Sequence, residues 1–240
     1  MRLIHTSDWH LGQHFYGKSR ADEHRVFLDW LLLQAEQQQA DAIIVAGDLF
    51  DTGTPPSYAR ELYNRFVVAL QGRGCQLIVL AGNHDSVATL NESRELLACL
   101  HTQVIAGAHA DDAPLLLRRR DGSPGAILCA VPFLRPRDLL QSRAGQSAAE
   151  KQQALQQAIS DHYHTLYQRA LALQASLAPD HRRRQRLRIG ARYLYRHAGC
   201  PAGQRLSPGR LYRPGTHSPP AAGRSRGAYS LQRLPDPPEL

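Results

Sequence analysis

The sequence predicts a layered α/β fold in which β-strands are joined by helical crossovers. Short apolar segments rich in β-branched residues alternate with longer segments of helical periodicity, and this alternation is typical of crossover-connected strands. Polar clusters directly follow three of the apolar segments. A chain of 240 residues with 42% hydrophobic content is long enough to bury a substantial core.

Four segments are predicted to be central strands because they are short, mostly apolar and rich in β-branched side chains. They are residues 2–6, 42–46, 76–80 and 126–131. In α/β sheets of this kind, ligands bind outside the carboxyl ends of the strands. The residues that follow these strands are therefore the first candidates for a functional site.

Three segments have the pattern of helices. Residues 21–39 and 58–70 each repeat apolar residues at helical spacing, so each predicts an amphipathic helix. Pro55 and Pro56 fit the start of the second helix, because a missing amide hydrogen costs little there. Residues 148–177 are rich in Gln and Ala and predict a long helix that lies on the domain or extends from it.

The polar clusters lie at residues 8–10, 47–51 and 82–85, each at the end of a predicted strand. Their side chains are therefore expected to converge on one rim of one sheet. Carboxylate, imidazole and carboxamide oxygen form a ligand set suited to manganese, iron or zinc. Because a pair of such ions is a common means of hydrolysing phosphate esters, the clusters predict that chemistry.

The first two clusters are expected to hold the metals. Asp8 and His10 are two residues apart, which on an extended chain puts both side chains on the same side, where they hold a first ion. Asp48 is expected to bridge two ions through its two oxygens. Gly47 allows the backbone to turn tightly beside it.

The third cluster is expected to complete the site. Asn83 offers a neutral oxygen to the second ion, and His84 stands free to donate a proton to the leaving alkoxide. Asp51 and Asp85 are expected to orient imidazole ligands or to tune this acid. Each motif alone fits ordinary turn chemistry equally well, so the prediction depends on all three occurring in order at strand ends.

The net charge of +8 is confined to the C-terminal part of the chain. Residues 1–179 carry 16 basic and 18 acidic side chains, whereas residues 180–240 carry 13 and 3. The latter segment has eight prolines and seven glycines, all its basic residues are arginine, and apolar periodicity disappears. This composition predicts a disordered tail. The rival interpretation is a basic arm that neutralises DNA phosphates.

The sequence also argues against a membrane protein, a zinc ribbon and a disulfide-bonded framework. No charged and apolar signal segment precedes the first predicted strand, and no apolar run is long enough to cross a bilayer, so we expect a soluble, cytoplasmic protein without a membrane partner. The four cysteines lack Cys-x-x-Cys spacing, which argues against a zinc ribbon or a disulfide framework.

The three motifs, in this order, resemble those of the calcineurin-like metallophosphoesterase superfamily. They are Asp-x-His at residues 8–10, Gly-Asp-x-x-Asp at 47–51 and Gly-Asn-His-Asp at 82–85. Within the superfamily the chain further resembles the SbcD family of bacterial nuclease subunits, over roughly residues 1–179. This likeness is carried by residues 5–12, 47–53, 55–60, 81–86 and 132–138.

The resemblance implies a metallophosphoesterase-type layered α/β sandwich with four layers. It implies an ATP-dependent exonuclease of duplex DNA and hairpin endonuclease that serves replication, recombination and repair through two manganese ions (Mn²⁺). The residues carried over are His84 as catalytic acid and, as metal ligands, Asp8, His10, Asp48 and Asn83. The implied partners are an SbcC-like coiled-coil ATPase, DNA ends and hairpins, and a second copy of the chain in a heterotetramer.

The chain departs from the family downstream. The family completes its two metal sites with a Gly-His element and a Gly-His-x-His element, and neither occurs in this sequence. When the codons for residues 212–220 are shifted by one base, they permit a Gly-His-x-His stretch, and residues 231–239 permit another family-like stretch. We therefore expect a frameshift near residue 180, which divides the chain into an incomplete nuclease domain at residues 1–179 and an out-of-frame tail at 180–240.

Two other functions fit the residues. One is a phosphatase or cyclic phosphodiesterase of the same superfamily, although such an enzyme is expected to lack the SbcD-like segments at residues 55–60 and 132–138. The other is a catalytically impaired remnant that binds DNA or a partner. Manganese-dependent cleavage of a hairpin separates the nuclease from both.

Overall fold

Within residues 1–140, 147–177 and 188–191, which the computed structural model describes, the chain forms nine strands and six helices. The strands are β1 (Leu3–Thr6), β2 (His14–Phe15), β3 (Lys18–Ser19), β4 (Ala42–Ala46), β5 (Gln76–Leu80), β6 (Thr102–Ile105), β7 (Leu115–Arg118), β8 (Pro124–Cys129) and β9 (Arg188–Ala191). The helices are α1 (Ala21–Gln37), α2 (Ser57–Gln71), α3 (Val87–Asn91), α4 (Arg94–Cys99), α5 (Pro136–Leu139) and α6 (Ala148–Leu177).

The first sheet is fully parallel, with the strand order β1-β4-β5-β6. Three of its strands match predicted segments. The prediction misses the fourth strand, β6, because two of its four residues, Thr102 and Gln103, are polar and the apolar run is too short to stand out. Parallel pairing brings the carboxyl ends of β1, β4 and β5 to one edge, as the sequence predicts.

The second sheet has the order β7-β8-β9, with β7 antiparallel and β9 parallel to β8. The strand predicted at residues 126–131 corresponds to β8, which spans Pro124–Cys129 and belongs to this second sheet. Strand β9 lies inside the segment predicted to be disordered and is an exception to that prediction. The remainder of that segment lies outside the described residues, and the boundary near residue 180 stays a prediction.

Three clusters of apolar side chains fill the spaces between four layers of helices and sheets. One cluster, which contains Leu31, packs α1 and α2 against the first sheet. A second contains Ile78 and Leu117 and joins the two sheets face to face. The third contains Ile127 and Leu166 and packs the second sheet against α6. The order is therefore helices, sheet, sheet and helix, which confirms the layered α/β sandwich.

The central strand β4 shows why the layers form. Ile43 and Val45 belong to the cluster under the helices, whereas Ala42, Ile44 and Ala46 belong to the cluster between the sheets. Successive side chains of a strand point to opposite faces, so both faces of this strand are buried. A strand buried on both faces is a continuous apolar run, which is the pattern that the sequence displays.

The predicted helices are confirmed with small shifts of their ends. Helix α1 ends at Gln37, two residues early, α2 runs from Ser57 to Gln71, and α6 has the predicted bounds. Pro56 precedes α2 as its N-cap, with an extended backbone. In the described part of the chain, none of the helices combines the length and the apolar character needed to cross a membrane.

One buried and one half-buried histidine make the stability of the fold sensitive to acid. Burial lowers the pKa of His24 in α1 and of His162 in α6 below their ordinary value, and Nδ1 of His24 and Nε2 of His162 are buried without a hydrogen-bond partner. The unfolded chain takes up protons as the pH falls through about 6.5, while the folded chain resists protonation. The free energy of unfolding is therefore expected to fall below that pH.

Urea unfolding followed by circular dichroism between pH 7.5 and 5.5 measures this effect. The double variant His24→Gln, His162→Gln is expected to lose less stability over this range than the parent chain does. His164→Gln, which replaces an exposed histidine two residues further along α6, serves as the control. Equal pH dependence in the parent chain and the double variant would show that other groups cause the acid sensitivity.

Candidate metal centre

The loops that follow β1 and β4 run side by side at the carboxyl edge of the first sheet. We name residues 7–13 the first loop, 47–56 the second loop and 81–86 the third loop. The amide of Asp8 donates to the carbonyl of Gly47 over 3.1 Å, and that of His10 donates to the carbonyl of Asp48 over 3.0 Å. These bonds continue the strand pairing into the loops and place the first cluster beside the second.

Five residues of the first and second loops have left-handed backbones, and all of them except Gly12 lie in the polar clusters. The φ angles are 56° at Asp8, 45° at His10, 95° at Gly47 and 50° at Asp48. Outside glycine this conformation is uncommon, although Asp and His adopt it more readily than most residues. The extended backbone expected for residues 8–10 is therefore wrong, and two left-handed turns bring the side chains together instead. Such strain is concentrated at functional sites.

Asp8, His10 and Asp48 each offer a ligand atom to one point, since these three atoms lie within 4.8 Å of one another. Nε2 of His10 is 4.0 Å from Oδ2 of Asp48. Metal–ligand bonds to nitrogen and oxygen are about 2.0–2.2 Å long, so this spacing allows both atoms to share one ion. The Asp8 side chain is exposed, and the hydroxyl of Ser7 donates to its Oδ2 over 2.6 Å.

A second group joins His10 to the other two loops. Ligand atoms of His10, Asp51 and His84 also lie within 4.8 Å of one another. Oδ1 of Asp51 is 3.2 Å from Nδ1 of His10, although that nitrogen lacks the alignment of a hydrogen bond. The rings of His10 and His84 meet edge to face, with centroids 5.1 Å apart. Asp51 therefore lies beside both imidazoles, where the sequence predicts an orienting group.

The orientation of His84 leaves one ring nitrogen available. Its Nδ1 is 2.9 Å from the backbone carbonyl of Asp51, which accepts hydrogen bonds and cannot donate them. The proton of a neutral His84 therefore belongs on Nδ1, and Nε2 is left without a proton. The side chain is exposed. Its role as the donor of a proton to a leaving alkoxide stays a prediction.

Asp48 connects the second loop to the third. Its Oδ1 accepts the backbone amide of His84 over 3.0 Å, while its Oδ2 is the oxygen near His10. A Cβ atom at Gly82 would overlap both Oδ1 and the backbone nitrogen of Asp48. This close approach leaves no space for a side chain at residue 82, which explains the glycine there.

Asp85 lies beneath the loops instead of beside an imidazole. Its side chain accepts the amides of Gly82 over 2.8 Å, Phe50 over 2.9 Å and Leu49 over 3.1 Å. Burial raises the pKa of Asp85, and the three amide bonds act in the opposite direction. The carboxyl group therefore ties the second loop to the third, and the role of tuning the acid or orienting its ring stays a prediction.

The residues around this centre coincide only in part with those that the sequence motifs single out. Asn83 is exposed between Gly82 and His84, and its role as a ligand stays a prediction. The three motifs include neither Ser7 nor Arg135. Ser7 gives no signal in the sequence, since a serine at a strand end is ordinary, whereas Arg135 lies in the SbcD-like segment at residues 132–138.

The donor set fits divalent metal ions. Two carboxylates and an imidazole converge in the first group, and the buried Nδ1 of His10 faces a carboxylate in the second. Such oxygen and nitrogen donors suit first-row divalent metals. Sequence comparison agrees with the geometry, since the model of the family described as Calcineurin-like phosphoesterase matches residues 1–128.

The chain belongs to the calcineurin-like phosphoesterase family. This membership and the two ligand groups together indicate a divalent metal centre at the carboxyl edge of the first sheet of this phosphoesterase. The family resemblance predicted from the three motifs is thereby confirmed.

Three relatives of this phosphoesterase are SbcD proteins, each named as a subunit of the nuclease SbcCD. The one from Escherichia coli K12 is 65% identical over 173 residues, which cover 72% of this chain and 43% of the relative. The Bacillus subtilis 168 protein is 43% identical over 97 residues, or 40% of this chain and 25% of the relative. The Rhodobacter capsulatus protein is 38% identical over 159 residues, or 60% and 38%.

These identities confirm the resemblance to the SbcD family. The match covers less than half the length of each of these relatives. The family model, which matches residues 1–128, includes all three loops.

Proposed function

We propose that the chain supplies the N-terminal part of the nuclease centre of an SbcCD-type complex, which cleaves DNA phosphodiester bonds with Mn²⁺. The observation that carries the proposal is the convergence of Asp8, His10 and Asp48 on one point, with His84 in the adjoining loop. The likeness to SbcD proteins of the nuclease SbcCD supports DNA as the substrate.

In this proposal each residue has one task. Asp8, His10, Asp48 and Asn83 hold the ions, which when bound neutralise phosphate charge and supply a nucleophile at neutral pH. His84 protonates the leaving alkoxide through Nε2, because its Nδ1 is engaged by the carbonyl of Asp51. Oxygen and nitrogen donors accept Mn²⁺ readily, which supports manganese as the working metal.

The names of the relatives support membership of an SbcCD-type complex, and the partners within it are those that the family resemblance implies. The chain would act with an SbcC-like ATPase and a second copy of itself on duplex ends and hairpins of DNA, in the cytoplasm. Residues 1–179 carry a small net negative charge, with 16 basic and 18 acidic side chains. A domain of this charge gains little from general attraction to DNA, so a partner protein with a basic surface is expected to supply it.

We also infer that residues from about 180 onward are translated out of frame. A one-base shift permits a Gly-His-x-His stretch at residues 212–220 and another family-like stretch at 231–239, and both support this inference. Reading the coding DNA decides the matter. A second frame that fails to continue into family-like sequence would remove this inference and leave the basic arm as the better interpretation.

A chimera tests the nuclease proposal. Residues 1–179 are joined to the corresponding downstream part of the E. coli K12 relative, and the product is incubated with a hairpin DNA and Mn²⁺. We expect cleavage of the hairpin by the chimera, loss of cleavage on chelation, and loss in the same chimera with Asp48→Ala. The unmodified chain, tested in parallel, is expected to bind Mn²⁺ and to cleave more slowly, because it lacks the downstream histidines.

The two alternatives predict different results. A phosphatase would hydrolyse p-nitrophenyl phosphate while leaving the hairpin intact, and a cyclic phosphodiesterase would hydrolyse a cyclic nucleotide. A remnant would fold cooperatively, bind DNA and show no Mn²⁺-dependent hydrolysis in either the chain or the chimera. Either result would contradict the proposal.

A further inference from the structure

The segment that follows β8 crosses from the second sheet to the third loop. The amide of Phe133 donates to the carbonyl of Ala81 over 2.8 Å, which fixes the segment beside the end of β5. Two residues later the guanidinium of Arg135 reaches the same loop. This contact between the sheets lies in the SbcD-like segment at residues 132–138, which the proposed function does not use.

Arg135 donates to three backbone carbonyls. Its Nη2 lies 2.7 Å from the carbonyl oxygen of Asp85 and 3.3 Å from that of Gly82, and its Nη1 lies 3.5 Å from that of Ala106. The guanidinium carbon is also 5.8 Å from the ring centroid of Phe133, within the range of a cation–π contact. The side chain is partly buried, so these bonds are shielded from competing water.

The two nearer carbonyls belong to the residues on either side of Asn83 and His84, the proposed metal ligand and the proposed catalytic acid. Gly82 and Asp85 are the neighbours of Asn83 and His84, so one guanidinium group holds both ends of a two-residue segment. Asp85 holds the same segment from the other side, through the amide of Gly82. The exposed pair is thus fixed by the buried carboxylate of Asp85 in the third loop and by the guanidinium of Arg135 from the segment that follows β8.

We propose that Arg135 is a positioning residue for the metal centre, which sets the location of Asn83 and His84 by clamping the carbonyls of Gly82 and Asp85. The effect of Arg135 on hydrolysis rests on the proposed function, whereas its clamping of the two carbonyls does not. The planar guanidinium presents several donors in a fixed fork, and lysine offers a single charged point. Lys at this position is therefore expected to replace the charge without replacing the clamp.

Amide hydrogen exchange of the metal-free chain tests the clamp. In Arg135→Gln, and less strongly in Arg135→Lys, exchange at residues 82–86 is expected to quicken by about ten-fold or more, while exchange in α2 and β4 stays unchanged. Arg137→Gln is the matched control, since Arg137 lies two residues away and its side chain is 76% exposed. The control is expected to exchange like the parent chain at residues 82–86.

Mn²⁺ affinity, measured by electron paramagnetic resonance, is the second readout. Partners that orient metal ligands typically change affinity by about 10–100-fold, and we expect a loss in this range for Arg135→Gln but not for Arg137→Gln. Arg135→Ala is expected to regain both affinity and loop protection in millimolar guanidinium chloride, at which the parent chain is unaffected. Such rescue would show that the guanidinium group itself holds the loop.

The two readouts separate the clamp from the metal function. Unchanged exchange at residues 82–86 in Arg135→Gln overturns the clamp, whatever the metal does. Quickened exchange with unaltered Mn²⁺ affinity overturns the positioning role. If the parent chain bound no Mn²⁺ while the variant exchanged faster, the clamp would stand and the proposed function would fail.

Discussion

Asp48→Asn is expected to remove tight Mn²⁺ binding, with a loss of affinity greater than about 100-fold. This exceeds the 10–100-fold typical of outer partners, because Asp48 is itself a proposed ligand. Asparagine keeps the shape of the side chain and an oxygen that accepts the amide of His84, so the third loop should remain in place. What disappears is the charge that faces His10.

The same substitution is expected to leave the metal-free fold as stable as before or slightly more stable. Asp8 and Asp48 place two carboxylates close together beside His10, and removing one of them relieves their repulsion. Isothermal titration with Mn²⁺ and urea unfolding measure the two quantities. Asp29→Asn, an exposed position in α1, is the control and should change neither. Retained Mn²⁺ affinity in Asp48→Asn would show that the centre lies elsewhere.

Gly82→Ala is expected to disrupt the metal centre and to destabilise the fold. The new methyl group would overlap the carboxylate and the backbone nitrogen of Asp48, so the second and third loops must move apart. Overpacking of this kind commonly costs about 1–3 kcal/mol, and contact with backbone favours the upper part of that range. The displacement also breaks the bonds from Gly82 and His84 to the two carboxylates that join the loops.

Gly72→Ala provides the comparison for this variant. Gly72 has an ordinary helical backbone at the end of α2, and a Cβ there would come no closer than 3.8 Å to its nearest neighbour. It is expected to keep both the parent free energy of unfolding and the parent Mn²⁺ affinity. If Gly82→Ala behaved like Gly72→Ala in both measurements, the close approach between the two loops would be incorrect.

The sequence predicts best those elements whose pattern is local. Strands β1, β4 and β5 and helices α1, α2 and α6 each have a periodicity or an apolar run of sufficient length. Strand β6 and the assignment of β8 to a second sheet depend on which face packs against which layer. That information lies in the pairing of distant segments, so no local pattern reports it.

The candidate site also has some features that the sequence predicts and others that depend on contacts between distant segments. Asp8, His10 and Asp48 converge as predicted because parallel strands bring their carboxyl ends to one edge. The sequence does not predict the left-handed backbones at these residues, since motif spacing does not specify φ. The sequence also does not show that Asp85 points inward and accepts three backbone amides, because this orientation depends on the burial of its side chain. The sequence likewise does not show that Arg135 contacts the third loop, because this contact depends on how the two sheets pack together.

The most direct test of the metal centre is anomalous diffraction from crystals of the chain grown with Mn²⁺. Data collected above and below the manganese absorption edge locate the ion without reference to any assumed ligand. We predict a manganese peak within coordination distance of Asp8, His10 and Asp48, next to the third loop. Crystals that bind manganese only away from these three side chains would contradict the assignment of the metal centre.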